Sequence, residues 1–289
     1  MDFEDHYAAI NGVRLHYVKA GQGPLMIFLH GFPEFWHAWT AQLLHFGQDH
    51  LAVAPDMRGY NLSEKPAAVE QYRIGHLIED VRQLAAHLGH SKFVLVGHDW
   101  GGAVAWAYAI AHPETLEKLV IVNAPHPGIF ARELAHNPAQ QKASEYMTFF
   151  QQPQIAEQTL SDDNYAALVK IVMGEGLRTG AFTQEDKQAY LEAWSQPGAL
   201  TGGLNYYRAA RIGPGSSGNF APDAGRLTVH VPTLVIWGEK DTALLPGNLD
   251  GLDQFVPQLT IKRIPEGSHW VIHEKPDEVN RLIRGFLVN

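Results

Sequence analysis

Three side chains of the types that carry out covalent catalysis follow predicted strands: Asp99, Asp241 and His269. Asp99 stands in the segment Val94–Ala103, where an apolar strand runs into a helix through a turn with glycine two residues before and two residues after it. So tight a turn strains its central residue and points that side chain over the edge of the sheet, which predicts a nucleophile elbow. The chain order of nucleophile, acid and histidine predicts nucleophilic catalysis at the carboxyl ends of the strands.

Each of these assignments has an alternative. Asp99 could instead cap the helix that follows it, which is a common role for aspartate. Glu239 stands close enough to Asp241 to compete as the partner of His269, and His98 is a rival base beside Asp99. Because a neighbour in a strained turn points away from the adjacent side chain, we interpret His98 as structural.

A second loop at this edge of the sheet carries a candidate oxyanion donor. The residues His30-Gly31-Phe32-Pro33 directly follow the apolar segment Leu25–Leu29. In folds with a nucleophile elbow, a loop in this position donates a backbone N–H to an oxyanion. The alternative interpretation is a plain turn that ends the strand.

The apolar runs of the sequence predict a mostly parallel sheet. The Asn11-Gly12 pair lies between two alternating apolar segments and predicts a tight antiparallel hairpin at the start of the sheet. Continuous apolar runs, typical of strands buried on both faces, then recur at Leu25–Leu29, Leu51–Ala54, Phe93–Val96 and Leu119–Val122. Segments with helical periodicity separate them, after Trp36, over Ile74–Leu88 and over Gly102–Ala111. This alternation predicts an α/β fold.

The alternation stops between about residues 127 and 225. Helix-like stretches follow one another there without a strand: Gln140–Phe150, Tyr165–Val172 and Glu185–Trp194. The earlier pattern then resumes with two strands and a closing helix that begins with proline: Thr233–Trp237, Leu259–Ile264 and Pro276–Leu287. The sequence therefore predicts a helical insertion that interrupts one domain.

One glycine-rich patch has the spacing of a dinucleotide-binding motif. Gly213–Gly218 fits G-x-G-x-x-G, but it follows a helix-like segment, contains a proline and precedes Asn219–Pro222 rather than a helix. A dinucleotide fingerprint needs a strand before it and a helix after it. We therefore expect no nucleotide cofactor at this patch.

Composition excludes several classes of protein. No stretch of the chain approaches the ~18 consecutive apolar residues of a membrane-spanning helix. With 22 basic and 31 acidic residues, the formal net charge is −9, which disfavours binding to nucleic acid. The absence of cysteine excludes disulfides, thiolate metal sites and a thiol nucleophile, and no metal site is expected. The charged start of the sequence lacks the apolar core of a signal peptide, so the cytoplasm is the expected compartment.

Taken together, these segments make the sequence similar to the α/β-hydrolase-fold epoxide hydrolases, in particular to bacterial members of that family. The resemblance covers essentially the whole chain, and its matching segments are H-G-F-P-E, P-D-M-R-G-Y-N-L-S-E-K-P, G-H-D-W-G-G, N-A-P-H-P, S-E-Y-M-T-F-F, L-N-Y-Y-R, W-G-E-K-D and G-S-H-W. It implies a mostly parallel eight-stranded sheet with helices on both faces. The implied domains are a core of residues 1–126 and 226–289 and an inserted helical cap of residues 127–225. It implies no cofactor, and we expect a monomer or a homodimer.

The resemblance also implies roles in catalysis. Asp99 is the expected nucleophile, and His269 with its partner Asp241 is expected to activate water. Two tyrosines of the cap are expected to act as acids, and they map onto Tyr146 and Tyr207. The adjacent Tyr206 and the more distant Tyr190 are weaker candidates. On periodicity alone all of these tyrosines would be core residues of helices.

Further residues are expected around the reacting groups. The backbone N–H groups of Phe32 and Trp100 are expected to form the oxyanion hole. Four residues are expected to bind the substrate: His30, Pro33, Trp36 and Phe150. For Trp36 the alternative is simple packing.

The implied reaction converts an epoxide into a vicinal diol. The Asp99 carboxylate forms a hydroxyalkyl ester, which activated water then hydrolyses. The expected substrate is a small apolar or aromatic epoxide. A serine in place of Asp99 would form a stable ether with no carbonyl for water to attack, so aspartate favours this chemistry.

Two other functions compete with this one. A haloalkane dehalogenase would use the same Asp99 nucleophile, with Trp100 as a halide donor. Phe32 stands where such enzymes often carry a second halide donor, and the tyrosine pair favours an epoxide. A non-catalytic ligand receptor on the same fold need not keep nucleophile, acid and histidine together, and all three are present here.

Overall fold

The computed structural model describes residues 3–215 and 227–288. Eight strands form one sheet: β1 (Glu4–Ile10), β2 (Val13–Ala20), β3 (Leu25–Leu29), β4 (Leu51–Pro55), β5 (Phe93–His98), β6 (Leu116–Val122), β7 (Thr233–Gly238) and β8 (Leu259–Ile264). Every strand predicted from the sequence is present. The predicted mostly parallel, eight-stranded sheet is confirmed.

The sheet begins with the predicted antiparallel hairpin. Asn11 and Gly12 join β1 to β2 with φ angles of 46° and 74°. Positive φ at both central residues matches the right-handed twist of the strands that the turn connects. β2 then pairs antiparallel with β4, and from β4 to β8 all neighbouring strands are parallel.

The strand order places the candidate catalytic loops at one edge. The order is β1-β2-β4-β3-β5-β6-β7-β8, so β3 lies between β4 and β5. The direction of the connections reverses between β3 and β5, and ligands of open α/β sheets bind outside the carboxyl ends of strands at such a point. Asp99 follows β5 and the His30–Pro33 loop follows β3. The fold therefore brings the elbow and the candidate oxyanion loop together.

Helices cover both faces of the sheet. Buried residues of α1 (Thr40–Phe46) and α11 (Pro276–Leu287) share one apolar cluster with one face of the strands. Residues of α2 (Ile74–His87) and α3 (Trp100–Ala111) pack in the cluster on the other face. Burial on both faces explains why β3, β5 and β7 read as continuous apolar runs. Within the described ranges, no helix is both long and apolar enough to cross a membrane.

Between β6 and β7 the described chain is helical. The elements are α4 (Pro127–His136), α5 (Pro138–Ala143), α6 (Glu145–Phe150), α7 (Ile155–Thr179), α8 (Gln184–Ser195) and α9 (Ala199–Ala210), and the short α10 (Val271–Glu274) follows β8. The predicted single stretch Gln140–Phe150 is corrected to two helices, because Ser144 leaves helical geometry with ψ of 6°. α7 is also interrupted, at residues 162–165.

The sheet resumes across this insertion without a gap. β7 pairs directly with β6, although the inserted helices separate the two strands in the chain. This arrangement agrees with a helical unit that interrupts one α/β unit. The division into a core of residues 1–126 and 226–289 and a cap of residues 127–225 stays a prediction. Its boundary at residue 225 and the second half of the Gly213–Gly218 patch lie outside the described residues.

Candidate active site

Asp99 occupies a strained turn between β5 and α3. Its φ of 51° and ψ of −121° lie in a region that residues with a side chain rarely adopt. The turn is tight because backbones approach closely on both sides: a Cβ at Gly97 would lie 2.4 Å from the Gly101 carbonyl oxygen, and a Cβ at Gly101 would lie 2.1 Å from that of Leu29. The Asp99 side chain makes no capping hydrogen bond to α3, so the alternative of a helix cap is wrong.

The two oxygens of the Asp99 carboxylate have different surroundings. The backbone N–H of Phe32 donates a hydrogen bond to Oδ1, with 2.7 Å between nitrogen and oxygen. Oδ2 lies 3.7 Å from Nε2 of His269. A Cβ at Gly31 would lie 2.3 Å from the Asp99 Cβ, so glycine at this position makes room for the carboxylate. One oxygen is thus held by an amide, and the other faces the histidine.

Asp241 fixes the orientation of His269. Nδ1 of His269 donates to Oδ2 of Asp241 at 2.7 Å, and the amide of Asn123 donates to the same oxygen at 2.8 Å. The other oxygen accepts the backbone N–H groups of Ala243 and Leu244 at 2.9 and 2.8 Å. Burial by itself raises the pKa of Asp241, but the charge of His269 and these hydrogen bonds hold that pKa below its usual range. Asp241 therefore stays ionised beside the imidazole.

The carboxylates around His269 stabilise its protonated form. Burial alone lowers the pKa of this imidazole, whereas the charge and hydrogen bond of Asp241 and the charge of Asp99 raise it to about 9. At neutral pH His269 is then mostly an imidazolium. Loss of the Asp99 charge would remove one of the interactions that raise this pKa.

Both predicted tyrosines line the same cavity as Asp99. The cavity has a volume of about 850 Å³, and Tyr146 from α6 and Tyr207 from α9 reach it with Trp100. The two tyrosine rings lie 6.2 Å apart at 77°, and the Tyr207 ring lies 5.1 Å from that of Trp100. Burial and then the negative charge of Asp99 raise the pKa of each tyrosine well above its usual value. Both hydroxyls therefore keep their protons well above neutral pH.

Comparison with known proteins agrees with this arrangement. Residues 24–276 match the α/β-hydrolase fold family. The chain is 40% identical over 286 residues to epoxide hydrolase 4 of Mus musculus, covering 96% of this chain and 77% of that protein. It superposes on the crystal structure of Bacillus megaterium epoxide hydrolase in complex with an inhibitor with a TM-score of 0.93 and 43% identity, over 98% of this chain and 100% of that one. The chain belongs to the epoxide hydrolases of the α/β-hydrolase fold. A third relative, 42% identical over 282 residues and 96% of each chain, is the AB hydrolase superfamily protein YfhM of Bacillus subtilis.

The alternative catalytic residues considered for this epoxide hydrolase make hydrogen bonds outside the candidate site. The Tyr206 hydroxyl donates to the Arg58 carbonyl oxygen at 2.9 Å, and the Tyr190 hydroxyl donates to a buried glutamate. The carboxylate of Glu239 accepts a hydrogen bond from Arg263 at 2.9 Å and is not the partner of His269. His98 is buried, with one ring nitrogen 2.8 Å from the His269 carbonyl oxygen. These contacts agree with structural roles.

The four residues expected to bind substrate are not among the described residues that line this cavity, and their role in substrate binding stays a prediction. His30 is fully buried and accepts the backbone N–H of Met57. Trp36 packs on Phe3, with 5.6 Å between the ring centroids. The carbonyl oxygen of Pro33 accepts the indole N–H of Trp194, and the Phe150 ring supports Tyr146, Tyr207 and Phe32 from behind. In the described structure these four residues make packing and backbone contacts.

Sequence reasoning missed a buried carboxylate, Glu34, that links four segments of the chain. Glu34 is 1% exposed, and its Oε1 accepts from His273 at 2.6 Å and from Tyr190 at 2.9 Å. Its Oε2 faces Nδ1 of His98 at 3.1 Å, and His98 in turn reaches the backbone of His269. Burial raises the pKa of Glu34, but its histidine partners lower that pKa well below the usual value. The H-G-F-P-E segment was the only sequence signal for this residue.

One face of α8 rests on the loop that contains Phe32. Three residues spaced by four make the contacts: Asp186, Tyr190 and Trp194. Asp186 bonds to His37 at 2.7 Å, Tyr190 to Glu34 at 2.9 Å, and Trp194 to the Pro33 carbonyl oxygen at 2.5 Å. Residues four apart share one face of a helix, so a single helix face supports the loop. The inserted helices thereby hold the amide that contacts Asp99.

Replacement of Glu34 by glutamine is expected to lower the free energy of unfolding by about 3 kcal/mol at pH 7, because it leaves buried histidine donors without their anionic partner. Chemical denaturation measures the change. The lowered pKa of Glu34 means that its contribution is present above about pH 4.5 and is lost as the pH falls through the folded-state pKa. Glu266→Gln removes an exposed carboxylate paired with Lys240 and is the control. Equal, small losses in both variants would contradict a structural role for the Glu34 network.

In the described part of the chain, no cluster of three or more histidine or acidic side chains could hold a metal ion.

Proposed function

We propose that this enzyme hydrolyses epoxides to vicinal diols through a covalent ester on Asp99. One observation carries the proposal: the Asp99 carboxylate, held in an elbow at 2.7 Å from the Phe32 N–H, lines the same cavity as the Tyr146 and Tyr207 hydroxyls. An epoxide carbon is attacked from the side opposite its C–O bond. The reaction therefore needs a nucleophile on one wall of a cavity and an acid on the other, and these residues supply both.

The first step is ring opening. Oδ1 of Asp99 is held by the Phe32 amide, so the attacking oxygen is Oδ2. A bond forms between Oδ2 and a ring carbon while the C–O bond of the ring breaks. The alkoxide takes a proton from the hydroxyl of Tyr146 or Tyr207. The product is a hydroxyalkyl ester of Asp99 and a tyrosinate.

Ester formation prepares His269 for the second step. The ester carries no charge, so the pKa of His269 falls from its value of about 9. His269 then gives up its proton and the tyrosinate gains one, so the tyrosine is restored and the imidazole becomes neutral. His269 is therefore protonated in the resting enzyme, and it can act as a base only after the ester has formed.

The second step is ester hydrolysis. Neutral His269, held by Asp241, takes a proton from water, and the hydroxide adds to the ester carbonyl carbon. Oδ1 becomes the oxyanion at the position where the Phe32 N–H already donates. Trp100 is the first residue of α3, so its N–H has no partner within the helix and is the second donor. Collapse of the intermediate breaks the bond between the carbonyl carbon and Oδ2, and the departing alkoxide takes the proton from His269 to give the diol. Asp99 is left as a carboxylic acid, and its proton passes to His269, which restores the carboxylate and the imidazolium.

The lining of the cavity favours an apolar body for the substrate. Around Asp99 and the tyrosines it consists mainly of apolar side chains, including Leu77, Phe130, Leu134, Met147, Ile212 and Leu244. Burial of apolar substrate surface against them is favourable. Alkyl and aryl epoxides are therefore the proposed class.

Product analysis tests the proposed function. The purified enzyme is incubated with an aryl epoxide and, in parallel, with a bromoalkane, while diol and halide are measured. We expect diol and no halide. Halide without diol would assign the protein to the dehalogenases, which use the same carboxylate chemistry.

Loss of either tyrosine hydroxyl is expected to slow ring opening. Tyr146→Phe and Tyr207→Phe should each lower kcat/KM by about 10- to 100-fold, and the double variant by about 10²–10⁴-fold, because acid assistance is worth that much. Steady-state diol formation measures the effect. Tyr206→Phe is the matched control, since its hydroxyl donates to the Arg58 carbonyl oxygen and its activity should stay near wild type. A similar loss in all three variants would instead indicate a packing effect.

A further inference from the structure

The short stretch of chain that begins with His269 contacts the inserted helices at two points. The indole N–H of Trp270, the next residue, donates to the carbonyl oxygen of Ile171 on α7, with 3.0 Å between nitrogen and oxygen. The ring of His273, on α10, packs on that of Phe182, with 4.4 Å between the centroids and 35° between the planes. The chain on the C-terminal side of His269 is therefore tied to the insertion.

Both contacts come from one packed piece of the insertion. The backbone leaves helical geometry at residues 162–165, so residues 166–179 form a helical segment of their own, which carries Ile171. The backbone N–H of Phe182 donates to the carbonyl oxygen of Gly176 at 3.2 Å, and a Cβ at Gly176 would lie 2.4 Å from Cδ2 of the buried Phe182 ring. Ile171 and Phe182 thus belong to a single unit that rests on the chain after His269.

Two aromatic rings lie close to the imidazole of His269. The Trp270 indole is almost perpendicular to it, with 4.9 Å between the centroids and 86° between the planes. The ring of His98 lies 4.8 Å away at 47°. The hydrogen bond to Ile171 fixes the polar edge of the indole, so the position of α7 determines where the indole meets the imidazole.

The imidazole needs this support most after the ester has formed. In the resting enzyme Nε2 of His269 lies 3.7 Å from Oδ2 of Asp99, and attraction between the two charges favours that orientation. The ester carries no charge, so this attraction is lost. The neutral imidazole keeps its Nδ1 bond to Asp241, and packing on the Trp270 indole then holds Nε2 toward the water that it must deprotonate.

We infer that Trp270 is a positioning residue for ester hydrolysis, through which the inserted helices hold the general base in place. Its indole N–H bonds to the Ile171 carbonyl oxygen, and its ring supports the imidazole of His269. The inference rests on the proposed function. Trp270 is not among the described residues that line the cavity, and ring opening does not use the imidazole base. Loss of the indole N–H should therefore slow the second step and spare the first.

A tryptophan analogue removes the hydrogen-bond donor and keeps the shape of the ring. In benzothienylalanine, a sulfur atom replaces the indole N–H, and codon suppression introduces it in place of Trp270. Enzyme in excess is mixed with an aryl epoxide and quenched at intervals, and intact mass spectrometry follows formation and decay of the ester. We expect the ester to decay about three- to tenfold more slowly than in wild type, as the net value of one hydrogen bond allows. Ring opening should keep its wild-type rate.

Two further proteins separate the lost donor from other effects. Trp270→Phe also lacks the donor and has a smaller ring, so it should slow ester decay at least as much. The same analogue in place of Trp39 is the matched control. Trp39 is buried in the apolar cluster that α1 and α11 share with one face of the sheet, and its indole nitrogen has no hydrogen-bond partner among the described residues. That replacement should change neither step.

The outcomes distinguish this inference from the proposed function. Ester decay at the wild-type rate in both proteins altered at position 270 would overturn the inference and leave the proposed function standing. Equal slowing of ring opening and ester decay would indicate a general disturbance of the cavity and would also overturn the inference. If neither ester nor diol formed in wild type, the proposed function would fall, and the inference with it.

Discussion

Asp99→Gly and Asp99→Ala should both lower diol formation by more than about 10⁴-fold, since neither variant has a nucleophile. The two variants should differ in stability. Glycine tolerates the φ of 51° at this position, whereas alanine does not. A positive φ strains alanine by about 1–3 kcal/mol, whereas glycine loses more conformational entropy on folding. The difference should make Asp99→Gly more stable to unfolding than Asp99→Ala by about 1 kcal/mol. Turnover and chemical denaturation measure the two effects.

A helix position with ordinary geometry is the control for this pair. Ala189 lies inside α8, where glycine should be about 1 kcal/mol less stable than alanine. If glycine is instead more stable than alanine at position 99, the backbone of the turn is strained there. If Asp99→Ala retained diol formation at the wild-type rate, the covalent mechanism would be wrong.

His269→Gln is expected to stop the reaction after ring opening. Attack by Asp99 and proton donation by the tyrosines do not need the imidazole base, whereas ester hydrolysis does. One equivalent of substrate should therefore be consumed in a burst, and the steady-state rate should fall by about 10²–10⁴-fold. Intact mass spectrometry should detect a covalent adduct that adds the mass of one substrate molecule.

The double variant Asp99→Ala/His269→Gln controls for labelling elsewhere on the chain. Without the carboxylate it should form no adduct under the same conditions. An adduct that survives in the double variant would mean that another nucleophile was trapped. Free diol from His269→Gln at the wild-type rate would show that His269 is not the base.

The strands and the elbow are predictable from the sequence because each depends on local pattern. Burial on both faces makes β3, β5 and β7 continuous apolar runs, and the Asn11-Gly12 pair specifies its own turn. The glycines around Asp99 are required by close backbone approaches within a few residues. Local sequence pattern was thus sufficient to predict the strands and to place Asp99 in the elbow.

The surroundings of the site depend on contacts between distant segments. Glu34 and its three partners, His98, Tyr190 and His273, come from four separate parts of the chain. Asn123 reaches Asp241 only because β6 and β7 are paired. Contacts between such distant segments cannot be predicted from local sequence pattern. For the same reason helical periodicity alone does not distinguish Tyr207, which lines the cavity, from Tyr206, whose hydroxyl donates to the Arg58 carbonyl oxygen, and only the family resemblance favours Tyr207.

The central claim, that the Asp99 carboxylate attacks the epoxide, is tested most directly by a single-turnover reaction in ¹⁸O-labelled water. Enzyme in excess is mixed with an aryl epoxide, and the oxygen content of the diol is measured by mass spectrometry. We predict unlabelled diol in the first turnover, because its new oxygen is Oδ2 of Asp99, and ¹⁸O incorporated into Asp99 itself. Labelled diol in the first turnover, with no label in Asp99, would show that water opens the ring directly.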